Sequence, residues 1–204
     1  QERLGLTPHF IEGMRVTDAD SLRIVEMVLG GSINQRLVRT LNLAGARAIG
    51  LRGADLNLLR AEPLSLAVAQ GDLGFVGVIK EVNTRALESF IAQGIVPVIA
   101  PIGFGYDGSA YNINADNAAL AIAKALRADA LLFVTNVAGV MLNGALVPSL
   151  TVGEIEAHIA SGDISGGMVP KVRSALEAVT AGVRQVIICN LEGLTTGSGT
   201  IITV

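Results

Sequence analysis

Two amides and a carboxylate alternate in the run Tyr111-Asn112-Ile113-Asn114-Ala115-Asp116. Side chains at i, i+2 and i+4 of an extended chain share one face, so the spacing predicts Asn112, Asn114 and Asp116 converging on one point. A helix cap explains Asn114 or Asp116 alone, but not three polar groups together. Further on, Gly166-Gly167-Met168-Val169-Pro170-Lys171 reads as a glycine pair entering a helix. Free N–H groups and the positive end of the dipole favour an anion such as phosphate there. Lys171 in the first turn opposes that dipole, which suggests a local anion; a solvated surface lysine is the plainer alternative. Lys80 and Lys124 are the other lysines of the chain.

Thr135 and Asn136 stand in Val134-Thr135-Asn136-Val137-Ala138-Gly139, at the carboxyl end of an apolar strand. Open α/β sheets bind ligands outside such ends, although a plain strand-to-loop exit has the same look. In Gly13-Met14-Arg15-Val16-Thr17-Asp18, Arg15 has the chemistry to clamp a carboxylate bidentately or to pair with Asp18 or Asp20. The run Gly103-Phe104-Gly105-Tyr106-Asp107-Gly108 fits G-x-G-x-x-G. A dinucleotide fingerprint needs a helix opening on its third glycine and an acid about 20 residues on. Neither follows here.

These runs need elements to hold them. Helical spacing with Thr17, Asp18, Asp20 and Ser21 as N-cap candidates predicts a long helix over 21–43, relaxed at Gly30-Gly31 and stopped by Gly45. Strands are expected at 48–51, 74–79, 95–100, 130–135, 185–190 and 199–204. Helices are expected at 84–93, 115–126, 152–159 and 170–181. Residues 56–66 show no clear period. Pro97 marks its strand as an edge or an irregularity, and the apolar run 130–135 reads as a parallel strand covered on both faces. Alternation of this kind implies α/β architecture, helices on both faces of a mostly parallel sheet. A soft lobe boundary falls near Pro97 to Pro101, giving 1–100 and 101–204.

Composition bounds the partners. The chain has 204 residues, 50% hydrophobic and 16% charged, which excludes a disordered polymer. Aromatics at 3% and a formal charge of −3 leave neither stacking platforms nor a basic footprint for nucleic acid. The mean hydropathy is +0.55, but the longest charge-free stretch is broken by Asn136, Gly139, Asn143, Gly144 and Pro148, so no membrane span is expected. A single cysteine, Cys189, allows no internal disulfide and fits a reducing cytoplasm.

In order and spacing, GMRVTD, DLGFVG, VIAPIG, YNINAD, VTNVAG and SGGMVPKV resemble the amino-acid kinase family, and within it the kinases of N-acetyl-L-glutamate in arginine biosynthesis. The resemblance covers nearly the whole chain; YNINAD and SGGMVPKV are its most specific parts. It implies a three-layer αβα sandwich and an ATP-dependent phosphorylation of the substrate's side-chain carboxylate, with Mg²⁺ on the ATP phosphates and no protein metal site. It implies that Arg15 and Asn112 hold the substrate, that Asp116 organises the catalytic lysines and that Lys171 touches the transferring phosphoryl group. Thr135, Asn136 and Met168 would line the nucleotide site. Residues 1–100 would form the amino-acid-binding and dimerisation lobe and 101–204 the nucleotide lobe. A homodimer, or a hexamer built as a trimer of dimers, is the implied assembly.

The resemblance also has gaps. The family opens with a strand bearing Lys and a glycine pair, and carries a glycine-rich turn after a second strand. Neither precedes Gln1, so a chain shortened at its N-terminus, with apolar surface left open, is expected. Asn136 replaces a frequent Asp. Two alternatives stay open: a kinase for carrier-linked aminoadipate or glutamate, and a homologue that binds amino acid or nucleotide without turnover.

Overall fold

The computed structural model describes residues 10–11, 14–65 and 71–204. The chain divides into two compact units, Gln1–Ala118 and Ala119–Val204.

In the first unit, β1 (Phe10–Ile11) and β2 (Met14–Arg15) form an antiparallel pair. Helix α1 (Ala19–Val25) is capped by Asp18, whose carboxylate accepts from the Ser21 amide at 2.7 Å. The helical run is continuous, as its spacing predicts, but residues Glu26–Ile33 wind as a π-helix before α2 (Asn34–Leu43). Space is short at Gly30, where a Cβ would lie 2.9 Å from Arg52 Cδ and 3.1 Å from Ile102 Cδ1. Gly45 ends the run at φ +90°, a conformation in which glycine carries no Cβ penalty.

Strand β3 (Ala48–Leu51) is followed by a 3₁₀ turn (Asp55–Asn57), then β4 (Leu59–Pro63), β5 (Gly77–Val82), α3 (Thr84–Ala92), β6 (Val96–Ile99), β7 (Ile102–Gly105) and β8 (Ala110–Asn112). β3 pairs in parallel with β6. The other four form a sheet in the order β5-β4-β7-β8, with β4 and β7 parallel. β6 pairs with β3 alone among the described residues, so Pro97 occupies an edge strand, where its missing N–H costs little. The GFGYDG run supplies β7 and the turn into β8; no helix opens on its third glycine.

Helix α4 (Ala115–Leu126) leads into the second unit. There β9 (Ala130–Val134), β10 (Met141–Leu142), β11 (Ala145–Leu146), β12 (Ser149–Thr151), α5 (Val152–Ser161), α6 (Met168–Thr180), β13 (Gln185–Cys189), α7 (Leu191–Thr196) and β14 (Thr200–Thr203) follow in turn. The sheet runs β12-β14-β13-β9, with β13 parallel to β9 and antiparallel to β14. Asn143 at φ +51° and Gly144 at φ +78° make the tight turn between β10 and β11, the conformation that matches strand twist. Leu131, Phe133, Val172, Ala175, Val186 and Ile188 pack into one core. The expectation that β9 is covered on both faces is corrected: Leu131 and Phe133 are buried, whereas Leu132 and Val134 are 42% and 45% exposed. Leu120 and Ala123 of α4 and the buried residues of α5 and α6 join the cluster of Leu131 and Phe133, which leaves the alternate side chains of the strand to solvent.

Candidate functional site

Asn112 ends β8, between Ile102 of β7 and a bridge to Val76. Side chains alternate along a strand. Tyr111 therefore points into the core beside Ala61 and Ile113, and Asn112 points the other way. Its carboxamide donates to the Thr17 hydroxyl at 3.1 Å. Thr17 is itself fixed by backbone bonds to the 73–75 segment: its amide donates to the Leu73 carbonyl at 3.0 Å, and its carbonyl accepts from Phe75 at 2.7 Å. Gly74 permits that approach, being at φ +64° with no Cβ to strike the Thr17 carbonyl oxygen.

A cavity of about 310 Å³ opens beside this pair, lined by Thr17, Ser21, Ile24, Val25, Val28, Leu29 and Asn112. Its polar groups gather at Thr17, Ser21 and Asn112, while α1 and the π-helix supply apolar walls. Such a pocket suits a small ligand with a polar end and an apolar portion. Arg15 stands two residues before Thr17, its backbone paired with Phe10. The clamping role expected of its side chain lies outside the described residues. The sequence reading treats Thr17 only as a cap candidate. Asp18 does the capping, and Thr17, 1% exposed, serves the pocket; its place two residues after Arg15 was the available signal.

The convergence of Asn112, Asn114 and Asp116 on one extended face is corrected. The extended backbone stops at Asn112. Asn114 caps α4, its side-chain oxygen accepting from the Asp116 and Asn117 amides at 2.9 and 3.2 Å. Asp116 then lies in the first turn of α4, where a carboxylate complements the helix dipole. Beneath the sheet, burial pushes the Tyr111 hydroxyl up, and the neighbouring Asp107 carboxylate adds to the shift. Asp107 is held below its usual range by hydrogen bonds from the Ser109 amide and hydroxyl.

The remaining candidates lie in the second unit. Thr135 follows β9 directly; its amide donates to the Cys189 carbonyl at 2.8 Å, and its hydroxyl donates to Asn136 Oδ1 at 3.2 Å. Both side chains stand at the carboxyl end of β9, the end at which open α/β sheets receive ligands. Met168 and Lys171 open α6. Gly167 caps that helix with no side-chain hydrogen bond, and nothing lies within 4 Å of a Cβ placed on Gly166 or Gly167. Pro170 falls in the first turn, where its missing N–H leaves no bond unmade. Met168 packs against the core of this unit, and Lys171 is half-buried. Among the described residues, no group of three or more His, Cys, Asp or Glu is placed to hold a metal ion, and no helix is long and apolar enough to cross a membrane.

The sequence pattern of the amino acid kinase family matches residues 1–190. An acetylglutamate kinase of Roseiflexus castenholzii is 52% identical over 194 residues, 95% of this chain and 74% of its own length. An acetylglutamate kinase of Methanopyrus kandleri is 48% identical over 207 residues, 98% of this chain and 84% of its own length. Among solved structures, smu.665 from Streptococcus mutans UA159 superposes with a TM-score of 0.86 at 34% identity, covering 99% of this chain and 79% of that one.

Proposed function

The chain belongs to the amino acid kinase family, and from that premise we infer that it phosphorylates the side-chain carboxylate of N-acetyl-L-glutamate with ATP, giving N-acetylglutamyl 5-phosphate for arginine biosynthesis in the cytoplasm. The observation that carries the reading is the Thr17–Asn112 pair on the wall of a 310 Å³ cavity. It offers fixed polar groups at one end and aliphatic walls for the rest of the substrate. Arg15 and Asn112 hold the amino acid, with Arg15 taking a carboxylate bidentately.

The nucleophile needs no general base. A side-chain carboxylate ionises near pH ~4.3 and is already an anion at neutral pH. Its oxygen forms the new bond to the γ-phosphorus as the bond to the β–γ bridging oxygen breaks, and ADP leaves with that electron pair. The obstacle is repulsion between two anions, so the protein's task is positioning and charge stabilisation. Lys171 supplies positive charge to the transferring phosphoryl group. Asp116 orients cationic groups rather than accepting a proton. Thr135, Asn136 and Met168 contact the nucleotide. Mg²⁺ would arrive bound to the ATP phosphates.

Exposed Met27, Val28, Leu37 and Leu43 on the long helical run support a homodimer, alone or as a trimer of dimers, which light scattering on a sizing column would separate. The activity test traps the acyl phosphate with hydroxylamine. Hydroxamate is expected only when ATP and free N-acetyl-L-glutamate are both present. Faster turnover of a carrier-linked acid would redirect the substrate assignment, and tight ligand binding without hydroxamate would make the protein a non-catalytic homologue.

A further inference from the structure

The loop between β9 and β10 is held at both ends. At its start the Thr135 amide is bonded to the Cys189 carbonyl. At its end stands Thr200, the first residue of β14, whose surface is 0% exposed. Its hydroxyl accepts from the Val140 amide at 2.8 Å and donates to the Val147 carbonyl at 2.6 Å. Val140 and Val147 face each other at the base of the β10–β11 hairpin, one step beyond the Met141–Leu146 pair. The Val147 amide donates directly to the Val140 carbonyl at 2.9 Å. A regular antiparallel pair of this type exchanges both bonds. Here the second bond is replaced by an inserted hydroxyl. Gly139 makes the insertion possible, because a Cβ there would sit 2.6 Å from Thr200 Oγ1 and 2.7 Å from Leu146 Cδ1.

We propose that the Thr200 hydroxyl is a positioning group for catalysis: by spacing Val140 from Val147 it sets the course of residues 135–139 and so the placement of Thr135 and Asn136 on the nucleotide. The proposal rests on the reading of that loop as a nucleotide contact. Without the hydroxyl, the buried Val140 amide is left unpaired and the part-buried Val147 carbonyl loses its donor. The amide regains a partner by closing on that carbonyl, which drags the loop.

The experiment compares Thr200→Val, which keeps shape and loses the hydroxyl, with Thr200→Ser, which keeps the hydroxyl. Thr200→Val is expected to raise KM for ATP at least five-fold while KM for N-acetyl-L-glutamate stays within two-fold. Thr200→Ser is expected within two-fold of the parent on both. Hydrogen exchange should accelerate over residues 136–147 in Thr200→Val and remain unchanged over α6. Should Thr200→Val not fold, Gly139→Ala displaces the same hydroxyl and should give the same KM split. Unchanged KM values, or two KM values rising together, in a parent that turns over would overturn the positioning role. A parent that neither binds nor turns over ATP would instead overturn the nucleotide reading, and the proposal with it.

Discussion

The carboxamide of Asn112 donates to the hydroxyl of Thr17 at 3.1 Å, joining residues 95 positions apart. With the amide nitrogen engaged on the Thr17 hydroxyl, the amide oxygen remains as an acceptor for an incoming donor such as an amide N–H.

Asn112→Ala is therefore expected to weaken the acceptor site selectively. Loss of one hydrogen bond and its partner's satisfaction costs about 1–3 kcal/mol, or about 5- to 150-fold in KM for N-acetyl-L-glutamate at that magnitude. KM for ATP should stay near the parent value in the hydroxamate assay.

Lys171→Met should behave differently. Removing one charge aimed at the transition state lowers turnover by about 10²–10³, with both KM values near the parent. Circular dichroism should remain that of the parent, since Lys171 is only half-buried.

Gly74→Ala tests the support beneath Thr17. The residue sits at φ +64°, and an added Cβ would meet the Thr17 carbonyl oxygen. Backbone strain of this sort costs about 1–3 kcal/mol, so the midpoint of urea unfolding should fall. KM for the acceptor should rise with it, because Thr17 carries the bond to Asn112.

Glu154 gives a pH-dependent prediction. It completes a capping box at the start of α5, accepting from the Thr151 amide at 2.7 Å and hydroxyl at 2.8 Å. Those bonds, the amide first, hold its carboxyl below the ordinary value of 4.5. A lowered carboxylate stabilises the fold fully above its unfolded pKa, and that contribution is lost as pH falls through the folded one. Glu154→Ala should thus lower Tm at pH 7, with the gap from the parent shrinking below pH 4.5. Glu154→Gln, which keeps an acceptor for the box, should fall between them.

Much of this molecule is legible from periodicity. The helix expected at 115–126 is α4, and the strand at 185–190 is β13 shortened by one residue, because both carry long apolar patterns with clear ends. β4 escaped because Leu59–Pro63 lies behind a turn in which Leu56 and Asn57 both take positive φ, an arrangement their residue types do not announce. Gly103–Gly105 lies in strand β7, despite a glycine-rich look. A Cβ at Gly103 would stand 2.5 Å from Ala61 Cβ, so small residues there answer to sheet packing. The site was harder. Asn112 is visible in the alternating polar run Tyr111–Asp116, but its partner Thr17 depends on tertiary pairing with the 73–75 segment. Asn114 looked like a ligand because the strand ended two residues earlier than its pattern suggests. Nothing local to Thr200 tells that a distant hairpin needs its hydroxyl.

Cys189 closes β13 and carries the chain's sole thiol, 1% exposed. A thiol inside a core meets an aqueous alkylating reagent only when the structure around it opens. The labelling rate of this one sulfur is thus a built-in clock for opening of the Ala119–Val204 unit, with no tag or engineered probe. Since the adjoining carbonyl anchors Thr135, a nucleotide gripping that loop should slow the clock, so affinity becomes readable from a mass spectrum without any turnover.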